Sequence, residues 1–352
     1  MTGGVRLAEG ALGVGLLLLP APLAMATGAA PAAWALCGLL GAVVGYVVIT
    51  GVRPLPAGSP VVRSWYCAGT AVGQGFICWT AAAFLGGALG FDRRAVWVSA
   101  TALVVVCAVA AVNWQPGPVF RRARLGATIA LAACWAAWPG SLAPAADATG
   151  PVPPGVAAAV FLLLISAVGW ESARDVVRSG REVVVAAAIV LAVTVGVTSW
   201  GSASRGWAAG GEVAGGGAHV VPSVLVVLVA ASYCVTNLRF AGGLVTRRWT
   251  GVGSVALVSA VAMAVAFATG GGTWQLLMGP GSATWAIFAL YAVRVSTDRA
   301  APTRGRVAAV VAVGLLGWLA ATPLWPALLF PAVVGSAALI RARVRTPAPS
   351  PG

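Results

Sequence analysis

The chain has 352 residues, 60% of them hydrophobic and only 9% charged, with a mean hydropathy of +0.94. Soluble domains carry about 25% charged residues, so this composition excludes a soluble protein. The formal net charge of +14 comes from arginine alone. These arginines sit in alternate loops between apolar runs, which excludes a basic nucleic-acid-binding face and matches the positive-inside pattern of membrane proteins.

A bilayer core of ~30 Å takes about 20 apolar residues per helix, and such stretches recur along the chain, giving about twelve predicted spans. In order they cover Leu7–Ala29, Ala32–Val52, Ser64–Leu89, Ala95–Asn113, Leu125–Pro139, Pro154–Val177, Val183–Ser202, Val220–Val245, Gly251–Thr269, Trp274–Ser296, Val307–Thr322 and Leu324–Ile340. The expected architecture is a single all-α polytopic transmembrane domain over residues 1–345, with no room for a separate soluble domain. The first run is long for a cleaved signal peptide, lacks a convincing small-x-small cleavage site before the next span, and is followed at once by more spans. Short connections are marked by Pro and Gly, as in Gln115-Pro116-Gly117-Pro118 and Pro151-Val152-Pro153-Pro154. The Gly-rich stretch Ser202–Ala218 is the one sizeable polar loop, and the Pro-rich tail 346–352 is expected to be disordered.

Of the 22 basic residues, 19 fall on one side of this pattern. They are Arg6, Arg53, Arg63, Arg121, Arg122, Arg124, Arg174, Arg178, Arg181, Arg239, Arg247, Arg248, Arg294, Arg299, Arg304, Arg306, Arg341, Arg343 and Arg345. Only Arg93, Arg94 and Arg205 fall on the other. The split predicts both termini in the cytoplasm and an even number of spans. The arginine-only, Ala/Gly/Val-rich composition fits a high-GC genome, a signal without functional weight; the expected location is a bacterial plasma (inner) membrane. The six cysteines, Cys37, Cys67, Cys78, Cys107, Cys134 and Cys234, all lie in apolar runs. No CxxC or Cys/His spacing is present, so they read as small buried hydrophobes, and no metal or cofactor is expected.

Two spans look interruptible. Span 1 holds Gly10-Ala11-Leu12-Gly13-Val14-Gly15 and then Leu16–Pro20, and span 6 holds Ser166-Ala167-Val168-Gly169. Glycine permits non-helical backbone, and unwound backbone at membrane depth is tolerated only where it lines a cavity. Freed N–H groups in span 1 suit a carboxylate, and freed carbonyls in span 6 suit an ammonium group. Together they would read the two ends of an amino acid. Close helix packing through Gly-x-x-Gly is the plainer alternative. The two spans stand five apart, the relation expected of corresponding helices in two inverted repeats. Glu171 follows the second interruption, and an intramembrane carboxylate generally faces a cavity, a partner or a proton path.

These motifs resemble the amino acid–polyamine–organocation transporter superfamily. Gly13-Val14-Gly15-Leu16-Leu17-Leu18-Leu19-Pro20 is similar to its helix 1 Gly-Ser/Thr-Gly-x-x-x-x-Pro stretch, and Gly169-Trp170-Glu171-Ser172-Ala173 to its helix 6 motif. Ala57-Gly58-Ser59-Pro60 with Gly73-Gln74-Gly75-Phe76 and Trp79 is similar to the helix 3 region, and Asn113 with Gly117 to the helix 4–5 connection. The likeness runs through the chain in span order and is greatest to small bacterial neutral amino acid exporters and permeases. It implies a LeuT-like 5+5 inverted repeat plus two C-terminal helices: repeat one at about 7–140, repeat two at about 154–296, extra helices at about 307–340. It implies a substrate held by Gly13, Val14 and Gly15 on one side and Ile165, Ser166, Ala167, Gly169 and Trp170 on the other, with Glu171 in coupling or gating. Val14 departs from the usual Ser/Thr. The helix 5 lysine of proton-coupled relatives is missing, and Arg124 lies towards the cytoplasmic end of span 5, where it is not assigned as a substitute.

Other polar residues stay open between two roles. Gln74 on span 3, Ser232 and Thr236 on span 8, and Trp285 on span 10 either line the pocket or serve helix packing. For Ser232 and Thr236 the packing role is back-bonding to their own helix. Arg239 either faces an inner vestibule or reaches the interface. His219 has no assigned role. The expected function is secondary active transport of small neutral or hydrophobic amino acids by alternating access, by proton coupling through Glu171 or by exchange, with sodium less favoured. A transport-inactive scaffold or sensor on the same fold is the alternative. An enzyme is not expected, since a single histidine leaves no HExxH and no Ser–His couple. The expected partners are the amino acid substrate and the lipid bilayer, without nucleic acid. The outer loop Gly90–Arg94 has no cysteine to tether an accessory subunit by a disulfide.

Overall fold

Pro60 in the first turn and Gly90 just past the last bracket the longest helix, α1 (Pro60–Leu89). Proline has no N–H to leave unpaired at a helix start. Gly90 adopts the left-handed conformation (φ 71°) that closes a helix C-terminus. Two residues later Asp92 caps α2 (Arg93–Asn113), its carboxylate accepting from the Ala95 N–H at 2.7 Å. The chain continues through α3 (Pro118–Ala137), α4 (Val156–Ser166), a helical stretch at 180–189, α5 (Val220–Val245), α6 (Arg248–Ala268), α7 (Thr273–Thr297) and α8 (Thr303–Ala320). A 3-10 turn (Trp325–Leu328) then leads into α9 (Leu329–Arg345). This computed structural model describes residues 59–114, 117–137, 155–166, 179–189, 220–245, 248–269 and 273–345, together with Gly3.

Among the described residues all regular structure is helical, and seven helices are long and apolar enough to cross a membrane: α1, α2 and α5 to α9, the last counted from the 3-10 turn. The chain is therefore a polytopic helical membrane protein. Predicted spans 3, 4, 8, 9, 10, 11 and 12 match these helices to within a few residues. Predicted spans 1 and 2, the later parts of spans 6 and 7, the loop 202–218 and the tail lie outside the described residues.

The packing centres on α1, which lies against α2, α5, α6, α7 and α9. Lipid is as apolar as a protein core, so helices meet through small residues that allow close approach. On α2 the buried face is Ala100, Val104, Cys107 and Ala111, while Val98, Val105, Val106 and Val109 face outward. The α1–α7 contact is tighter still. A Cβ added at Gly69 would come within 2.6 Å of the Ala283 Cβ, and one at Gly279 within 2.8 Å of Val72. Gly69→Leu should therefore separate α1 from α7 at a cost of about 1–3 kcal/mol. It should lower the melting temperature in detergent, whereas Gly126→Leu, into open space, should not.

The helix ends sort into two groups. The Arg93 guanidinium lies over the Phe267 ring at 5.6 Å, joining the start of α2 to the end of α6. At the opposite end Arg239 of α5 donates to the carbonyls of Ala111 (3.3 Å) and Trp114 (3.1 Å). These carbonyls close the last turn of α2, where helix geometry leaves acceptors unpaired. Arg239, open in sequence between vestibule and interface, is thus a cap on a neighbouring helix.

Candidate functional site: a buried polar seam

The seam is built from one turn of α5. Tyr233, Thr236 and Asn237 stand at i, i+3 and i+4, so they share a face. Gln74 meets this face from α1 and Arg124 meets it from α3. Gln74 is 3% exposed and sits between Gly73 and Gly75, whose missing side chains leave room for neighbouring helices. Its Nε2 donates to the Thr70 carbonyl at 3.3 Å, and its Oε1 accepts from Asn237 Nδ2 at 3.4 Å.

Arg124 is 8% exposed. One guanidinium nitrogen donates to Thr236 Oγ1 at 3.2 Å, and the guanidinium lies 4.1 Å from the Tyr233 ring centroid. Burying a charged side chain among apolar helices is costly. A desolvated cation–π contact returns about 2 kcal/mol and a hydrogen bond to a charged group about 1.5–3 kcal/mol, so the pocket can hold the charge. The Ser and Thr hydroxyls are also engaged: Thr236 donates to the Ser232 carbonyl at 3.0 Å, Ser232 to the Val229 carbonyl at 2.7 Å, and Thr128 to the Arg124 carbonyl at 2.9 Å. Chemically the seam offers a fixed cation, a primary-amide pair and a ring face. A guanidinium carries five N–H donors and no acceptor, so Arg124 can pair with an anionic group.

Of the residues singled out in sequence, Gln74 and Thr236 come together through Asn237 and Arg124, and Ser232 lies one turn further along α5. Trp285 does not join them: its indole N–H donates to the Leu316 carbonyl at 3.1 Å, and its ring stands edge-on to Phe161 at 6.3 Å. Ile165 and Ser166 lie in α4, at the edge of the described residues. Gly13, Val14, Gly15, Ala167, Gly169, Trp170 and Glu171 lie outside the described residues. Near Trp285, Pro280 lies inside α7, and without its N–H the Leu276 carbonyl loses its usual donor.

Two features were not found in sequence. The hydropathy pattern places Arg121, Arg122 and Arg124 between spans 4 and 5, yet α3 begins at Pro118 and carries them inside the helix. The burial of Arg124 has a faint signal in the preceding Pro-Gly-Pro, which marks a helix start ahead of the arginines. The second feature is a thiol cluster: Cys78 on α1, Cys107 on α2 and Cys234 on α5 place their sulfurs within 4.8 Å of one another. All three side chains are buried. No spacing rule could reveal it, because each residue comes from a different helix. Compared with known proteins, the sequence matches no family model and no curated relative.

Proposed function

We propose that the chain is a secondary transporter of small neutral or hydrophobic amino acids, working by alternating access as a sodium-independent exchanger. The observation that carries this is the buried seam, in which Arg124, Thr236, Tyr233, Asn237 and Gln74 assemble within a bundle of membrane-spanning helices. Intramembrane polar groups of this kind mark solute and ion paths. The substrate class comes from the resemblance, which assigns Gly13, Val14 and Gly15 to the carboxylate and the backbone of Ile165, Ser166 and Ala167 to the amine, with Glu171 as a gating group.

The seam bears on coupling. Ser232 and Thr236 are the hydroxyls that could ligand sodium on this helix. Both already donate to their own helix, and Thr236 also accepts from Arg124. A permanent guanidinium there repels a second cation. The site therefore holds its positive charge at all times and needs no ion to supply it.

Purified protein in liposomes loaded with unlabelled leucine should take up labelled leucine, methionine or valine. Uptake should be unchanged when sodium is replaced by potassium, and Gly13→Leu should abolish it. Absence of uptake and binding across a panel of neutral amino acids would overturn the proposal in favour of a scaffold or sensor. Uptake that requires sodium would overturn the exchange mechanism alone.

A further inference from the structure

The thiol cluster lies one turn from the seam along α1, since Gln74 and Cys78 stand at i and i+4, and its chemistry is separate. The Cys78 and Cys234 sulfurs are 3.5 Å apart, and Cys107 completes a triangle whose sides are all within 4.8 Å. Three sulfurs each bonded at about 2.3 Å to one ion in their plane lie about 4.0 Å apart, between these two values. The three helices carrying them are mutually packed, so the triangle is fixed by the bundle and not by a mobile loop.

We propose that Cys78, Cys107 and Cys234 form a three-sulfur binding site for a soft d10 cation, Cu(I). Thiolate sulfur is the ligand type that selects Cu(I), zinc and iron–sulfur clusters. Among the described residues no fourth Cys, His, Asp or Glu joins the group. Structural zinc is almost always four-coordinate, and catalytic zinc keeps a water as its fourth ligand. The position here is buried in the apolar core, where the Cys107 thiol lies 3.7 Å from the Ala231 carbonyl. Cu(I) accepts three sulfurs and needs neither a fourth ligand nor water. Each sulfur that binds as thiolate releases its S–H proton, and copper stays in the +1 state. Three thiolates on one Cu(I) release three protons and leave two net negative charges. This charge lies on the helix turn against which the Arg124 cation is docked, through Tyr233 and Thr236, which offsets part of it.

The test is titration of the full-length protein in detergent with Cu(I) under anaerobic conditions against a chromogenic Cu(I) chelator, followed by X-ray absorption of the bound metal. The expected result is one chelator-resistant Cu(I) per chain, ligated by three sulfurs at about 2.3 Å. Cys78→Ser, Cys107→Ser and Cys234→Ser should each lose it. Cys67→Ser should retain it, because residue 67 lies about 16 Å, or three turns, from Cys78 along α1. Wild-type protein that holds no Cu(I), or holds it on two sulfurs in a line, would overturn the proposal. So would retention by all three serine variants. The wild-type spectrum decides the matter even if a variant fails to fold.

Discussion

Arg124→Met is expected to abolish amino acid exchange while leaving the melting temperature of the purified protein unchanged or raised. The two effects separate because the guanidinium is costly to bury. Replacing a buried charge by an apolar side chain of similar length is often neutral, or stabilising by about 1–4 kcal/mol, and methionine adapts well to irregular space. Thr236 keeps its bond to the Ser232 carbonyl, so no hydroxyl is stranded. What disappears is the fixed positive charge of the seam. Arg124→Lys should keep that charge but lose the planar contact with Tyr233. Residual exchange in this variant should therefore fall below wild type without reaching the loss seen in Arg124→Met. The measurement is counterflow of labelled leucine in liposomes beside thermal unfolding in detergent. Full exchange by Arg124→Met would remove the seam from the transport path. Lost exchange together with a large fall in melting temperature would make Arg124 a structural residue only.

Gly251→Leu should have the largest effect on folding. Gly242 near the end of α5 and Gly251 near the start of α6 bring the two backbones into direct contact. A Cβ at Gly242 would stand 2.6 Å from the Val252 nitrogen, and one at Gly251 would overlap the Gly242 carbonyl. The obstructing atoms are main chain, so no rotamer change relieves the overlap. The penalty should reach or exceed the upper end of the usual overpacking cost of about 1–3 kcal/mol, a large share of the ~5–15 kcal/mol that holds a typical domain together. Most of the variant should be lost as aggregate on size-exclusion chromatography in detergent, whereas Gly253→Leu, which points into open space, should elute as wild type. A monodisperse Gly251→Leu protein of normal melting temperature would contradict the geometry.

The extent to which the sequence revealed this fold follows from what each signal measures. Hydropathy with Pro and Gly punctuation located α1, α2 and α5 to α9, because a span must be apolar along its length and its ends must bend. The same measure placed the start of span 5 at Leu125 and not at Pro118, because a hydropathy window treats arginine as a sign of water. It has no way to see that Tyr233 and Thr236, more than a hundred residues away, accept the charge of Arg124. Helix-local chemistry was legible: the back-bonding open to Ser232 and Thr236 is present in both. Cross-helix chemistry was not. The thiol cluster and the Gln74–Asn237 pair depend on the rotation of each helix about its own axis, which a run of apolar residues on every side leaves undetermined.

Among the described helices α1 touches five neighbours and meets α7 where Gly69 leaves no space to slide, so it serves as the axle of the described bundle. Any working cycle that exposes the interior first to one side of the bilayer and then to the other must carry α1 and α7 as a single block. The swing then falls to the helices hung around that axle. A bifunctional crosslink locking α1 to α7 should be tolerated throughout the cycle, while one that fastens α3 to α5 across the seam should stop it.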